Sequence, residues 1–104
     1  DERERVEGTV VALLDLLGRA HAMAVLSEFA FAEGPLRFGD LESRLDVAPN
    51  TLSARLKELT AAGLLDRRAY DEVPPRVEYT PMRKAETLFP VFAHLHHWAV
   101  EHDL

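Results

Sequence analysis

The chain has 104 residues, no cysteine and a formal net charge of −6. That length supports one domain with a real core and not two. Without cysteine there is no disulfide scaffold, no thiolate metal site and no cysteine-based sensing. No apolar run approaches the roughly 20 residues that span a bilayer. The opening DERERVEG lacks the apolar stretch of a signal peptide, so a cytoplasmic protein with no membrane partner is expected.

In chain order, VEGTVVALLDLL (6–17) reads as a first helix, with Val10, Leu13, Leu14 and Leu17 on one side and Gly18 as its stop. A second helix is expected from about Arg19 to Glu33. Met23, Leu26 and Ala30 carry its stripe, Val25 and Phe29 widen it, and Gly34-Pro35 ends it. LRF then reads as a short strand with Phe38 as a core anchor. FGDLESRLDV reads as a third helix with Leu41 and Leu45 at i and i+4, and APN breaks it. Pro49 stands where a first helical turn tolerates proline. The fourth helix, NTLSARLKELTAAG, buries Leu52, Leu56 and Leu59 and stops at Gly63.

The segment YDEVPPRVEY (70–79) cannot be helix, because two adjacent prolines fix φ and donate nothing. Its flanks alternate as strands do, so the pair reads as a hairpin with a stiff, charged connection. A last helix is expected from Pro81 to about His102, with Thr80 as its N-cap and Pro90 as a kink. The fold class is therefore mainly α with a small antiparallel β-hairpin: a winged helix-turn-helix with extra N- and C-terminal helices. We read it as a single winged-helix domain over 1–104. The helix-turn-helix covers 39–63, the wing 64–80, and helices for dimerisation 6–17 and 81–102.

The acidic total hides an asymmetry. Residues 50–84 carry seven Lys/Arg against five Asp/Glu, a local +2, which leaves −8 for the remainder. Within that segment the fourth helix turns a small, polar face away from its leucines, a shape that a major groove about 12 Å wide admits. Asn50, Thr51, Ser53 and Lys57 are candidates for base or near-base contact, with Arg55 on the flank for phosphate or for pairing with a neighbouring acid. On the hairpin, Arg67, Arg68 and Arg76 are candidates for the sugar-phosphate backbone, Arg76 near the tip also for a minor groove. Pairing with Asp66, Glu72 and Glu78 is the competing role of these arginines. Asp71 and Glu72 repel phosphate, which would keep the tip clear of a duplex.

The strings LLDLLG, LRFGDLESRLDVAPNTLSARLKELTAAGLLDRR, EVPPRVEY and LFPVF resemble the HxlR-type family of winged-helix transcriptional regulators, over roughly Leu13 to Trp98. The most specific part of the likeness is the combination LSARLKEL, GLLDR and EVPPRVEY. The resemblance implies a homodimer that binds double-stranded DNA, with the fourth helix (about 50–62) in the major groove and the wing (about 70–77) on the backbone or minor groove. It adds Ala54 to the recognition residues and makes Arg76 the wing arginine. It also implies that the first and last helices form the dimer interface, with Val10, Leu14, Phe89, Val91, Leu95 and Trp98 as contact candidates. There are departures. Leu17-Gly18-Arg19-Ala20-His21 stands where members usually read Leu-Gly-Gly-Lys-Trp, and Ala48 stands where a capping Ser is frequent. Many members sense electrophiles through a cysteine near the first helix; this chain has none, and its effector is unassigned.

The last helix has more apolar surface than one core contact needs, which a second copy with two-fold symmetry would cover. Such symmetry also sets two recognition helices about 34 Å apart, one DNA turn. His94, His97 and Glu101 share a helix face at metal-ligand spacing. Solvated or interface histidines are the commoner meaning of that pattern, and no metal or other cofactor is assigned. No glycine-rich phosphate loop, carboxylate pair or nucleophile motif is present, so no catalytic residue is assigned and no enzyme is expected. The alternative to a regulator is a winged helix that binds protein and leaves DNA alone, given the acidic surface.

Overall fold

The computed structural model describes all residues, 1–104. Helix α1 (Glu2–Leu17) begins four residues before the expected start. The charged opening explains this. Asp1 caps the helix by accepting the Glu4 N–H at 2.9 Å. Arg5 pairs with Glu2 at 2.9 Å and Arg3 with Glu7 at 3.0 Å, so the run pairs i to i+3 and i+4 along the helix. Gly18 ends it by donating its N–H to Leu14 O at 2.8 Å.

Helix α2 (Ala22–Glu28) is much shorter than the Arg19–Glu33 expectation. Residues 18–21 form a corner instead, and the N–H groups of Phe29 and Ala30 bond three residues back, to Leu26 O and Ser27 O, in a tightened last turn. Ala22, Val25, Leu26 and Phe29 are buried at helical spacing, so the stripe centres on Val25 and Phe29. The expected LRF strand shrinks to Leu36, which exchanges both backbone bonds with Tyr79 (3.0 and 2.8 Å). Leu36 is the buried anchor, and Phe38 only lines the core's edge.

Helix α3 (Phe38–Arg44) starts where the Arg37 N–H donates to Asp40 Oδ2 at 2.8 Å. It stops at Leu45, whose backbone is already extended. Helix α4 (Pro49–Ala61) has Pro49 in its first turn, and Ala48 provides no side-chain cap. Leu52, Leu56 and Leu59 are fully buried, as the spacing requires. Its end is a Schellman turn: Leu64 N–H donates to Leu59 O and Gly63 N–H to Thr60 O, both at 3.0 Å. Gly63 stands at φ +78°, which glycine adopts without strain.

Strands β1 (Leu65–Tyr70) and β2 (Arg76–Pro81) pair antiparallel, from Leu65 opposite Pro81 to Tyr70 opposite Arg76. Thr80 and Pro81 thus belong to β2 and cap no helix. The expected long last helix is two helices, α5 (Arg83–Glu86) and α6 (Phe89–Glu101). Proline cannot donate to the carbonyl four residues back and its ring clashes there, so Pro90 enforces a full break in place of a kink. It lies in the first turn of α6, where no intrahelical bond is lost.

The core runs from Val25 to Phe92 through α2, α3, α4, β1, α5 and α6, and β2 only packs Tyr79 against it. Helix α1 contributes no buried residue and α6 only Phe92. Both end helices therefore stand off the body, and the radius of gyration is 15.0 Å against about 13 Å for a compact domain of this length.

Candidate nucleic-acid interface

Helix α4 packs its leucine stripe on α2 and β1, which leaves the opposite side free. Asn50, Ser53, Lys57 and Ala61 are exposed on it, and half-buried Ala54 sits between them. Small residues at 54 and 61 keep that surface low, and Asn50, Ser53 and Lys57 offer donors without an intramolecular partner. Thr51 and Arg55 lie on the flank, both half-buried. Arg55 is committed locally: its Nε is 3.4 Å from Glu58 Oε2, and its side chain is only 16% exposed.

On the wing, β1 presents Arg67 and Arg68, both exposed and neither within ion-pair distance of an acid. Arg76 differs. It lies 3.1 Å from Glu72 and 3.6 Å from Glu78, with its guanidinium 4.0 Å above the centre of the Tyr70 ring. Two carboxylates and a cation–π contact compensate this charge within the hairpin. The tip beyond it exposes Asp71 and Glu72. The structure thus separates the sequence candidates into an open set (Asn50, Ser53, Ala54, Lys57, Arg67, Arg68) and an internally paired set (Arg55, Arg76), with Thr51 at the boundary.

Two arginines were missed by the sequence reading. Arg37 and Arg44 bracket α3, exposed and without an acidic partner. Their position at the ends of the helix preceding the turn was the available signal, since that helix crosses the DNA backbone in helix-turn-helix proteins.

Of the residues expected at an interface between copies, Val10, Leu14, Val91, Leu95 and Trp98 are all exposed, and Phe89 is half-buried beside Phe92. His97 Nε2 lies 3.8 Å from Glu101, and within one chain no three His, Asp or Glu side chains gather so as to hold a metal ion. No single helix is long and apolar enough to cross a membrane.

A family model, the HxlR-like helix-turn-helix, matches residues 16–103. The chain belongs to the HxlR-like helix-turn-helix family. It is 39% identical over 91 residues to the HTH-type transcriptional regulator BH0655 of Halalkalibacterium halodurans, which covers 86% of this chain and 80% of that protein. It is 36% identical over 103 residues to the HTH-type transcriptional regulator Rv3095 of Mycobacterium tuberculosis, covering 98% of this chain but 64% of the relative. Among solved structures, the reduced form of the transcriptional regulator YodB from B. subtilis matches with a TM-score of 0.75 at 28% identity, over 88% of each chain. The HxlR fold, a winged helix-turn-helix with one small antiparallel sheet, is therefore the fold of this chain. The names of these relatives indicate regulators and not enzymes.

Proposed function

We propose that this chain is a dimeric, sequence-specific DNA-binding transcriptional regulator of the HxlR type. The observation that carries the reading is the open face of α4. A low, polar helical surface with Asn50, Ser53 and Lys57 unpartnered fits a major groove, where amides and hydroxyls read base edges and Lys57 reaches a guanine or a phosphate. Thr51 borders this surface. Arg67 and Arg68 on β1 bind the sugar-phosphate backbone, which fixes register without reading sequence. Arg37 and Arg44 extend that backbone contact along α3. Arg76, bound to Glu72, Glu78 and Tyr70, keeps the wing rigid, and Arg55 holds the flank of α4.

The dimer follows from the end helices. Val6, Val10, Val11 and Leu14 on α1, and Val91, Leu95, Trp98 and Val100 on α6, are all more than two-fifths exposed. Exposed apolar side chains in this number on two helices mark an interaction site. Beside it, α1 and α5 border an apolar groove of about 310 Å³, walled by Leu13, Leu16, Leu64 and Leu88. A second copy related by a two-fold axis covers both helices in one interface.

The test is selection of binding duplexes from a random pool with the purified protein, followed by footprinting. The reading expects a two-fold symmetric site with half-sites about one helical turn apart, and Asn50→Ala that relaxes the choice of base at one position per half-site. Recovery of no preferred sequence, with no duplex affinity at low salt, would overturn it in favour of a protein-binding winged helix.

A further inference from the structure

Helix α1 has no fully buried residue and packs against the core through Leu16 and Leu17 in its last turn, so its direction on the body is set near where it ends. There Gly18, Arg19, Ala20 and His21 turn the chain, and the axes of α1 and α2 differ by 92°. His21 stands at φ 66°, in the left-handed region that non-glycine residues seldom adopt. Arg19 is the one arginine or lysine of this corner, and it reaches across to the recognition helix. Its Nη1 lies 3.6 Å from Oε1 of Glu58, the single acid of α4. The other oxygen of Glu58 faces Arg55 Nε at 3.4 Å, and both of those atoms are buried without a hydrogen bond. One carboxylate is thus held between an arginine of its own helix and an arginine of the corner.

We propose that Arg19 is a positioning residue for operator recognition: clasping Glu58, it fixes the angle between α1 and α4, and thereby the spacing of the two recognition helices in a dimer. The inference rests on the regulator reading above and names a determinant of its half-site spacing. An ion pair this exposed is weak as a source of stability; its effect here comes through leverage. A helix of 16 residues is about 24 Å long. A swing of about 10° at the corner moves its far end by about 4 Å, roughly one base-pair step along the duplex. Holding that angle therefore separates one spacing from its neighbours. Arg19 also makes the cluster net positive, which removes the repulsion that Glu58 alone would exert on a nearby phosphate.

The test uses the absence of native cysteine. A spin label at Ala61→Cys, an exposed position at the end of α4, reports the distance between the two recognition helices. In parallel, the selected duplex is compared with versions whose central spacer is one base pair longer or shorter. The parent should give a narrow distance distribution and prefer its own spacer. Arg19→Met should broaden the distribution and lose the spacer preference while keeping its thermal midpoint, and Arg19→Lys should restore both. An Arg19→Met protein as narrow and as selective as the parent would overturn the proposal. So would a variant that merely melts earlier and is not rescued by lysine. A parent with neither an inter-copy distance nor duplex affinity would instead bring down the regulator reading, and this inference with it.

Discussion

Truncating Trp98 is the sharpest probe of the uncovered helices. The indole lies on α6 beyond Phe92, the last residue of that helix in the core, so its loss leaves the core of each chain intact. It is 44% exposed. A tryptophan presents roughly 200 Å² to be buried, so about 90 Å² awaits a partner, about 2 kcal/mol at 25 cal/mol per Å². A two-fold axis counts the loss twice, about 4 kcal/mol, or about a thousandfold in the dimer dissociation constant. If the partner covers only half of the exposed ring, about thirtyfold remains. Sedimentation velocity across a dilution series of parent and Trp98→Ala measures this, with far-ultraviolet circular dichroism to show that the helices persist. A Trp98→Ala protein that dissociates like its parent would refute the reasoning, as would a parent that sediments as a single 11.7 kDa chain at every concentration.

Leu56→Ala removes a side chain 1% exposed at the centre of the leucine stripe and should cost about 3 kcal/mol in urea unfolding. Gly63→Ala meets no close neighbour, the nearest being Lys84 Nζ at 3.6 Å, so its cost should be the left-handed backbone alone, about 1 kcal/mol in the same assay. Ala48→Ser supplies the cap that α4 lacks and should raise stability by about 1 kcal/mol, read as a higher urea midpoint at unchanged slope.

Much of this molecule was legible from residue pattern. The leucine spacing of α4, the glycine that ends it and the proline-stiffened hairpin rest on local rules, and each holds in the structure. The errors arose where charges or tertiary geometry overrode periodicity. Apolar spacing places the start of the first helix at Val6, yet the ion pairs of the opening charges and the Asp1 cap extend α1 to Glu2. Apolar spacing continues past Phe29, yet α2 stops at Glu28, because the chain must bring Leu36 alongside Tyr79. Pro90 was recognised as a disturbance, but whether proline bends or breaks a helix depends on its surroundings. The open face of α4 was visible because helical projection alone defines it. The acids able to pair with Arg55 and Arg76 were also visible, but which arginines pair and which stay open was not, since that depends on which acid folds back within reach.

The central claim is that α4 and β1 form a duplex-binding surface despite a net charge of −6. The most direct measurement is the affinity of the purified chain for its selected duplex as a function of salt, for the parent and for Arg67→Ala and Arg68→Ala. The account predicts a linear fall of log affinity with log salt, its slope smaller by about 0.9 for each phosphate contact removed. Duplex affinity that ignores salt, or slopes that do not change when Arg67 and Arg68 are replaced, would contradict it.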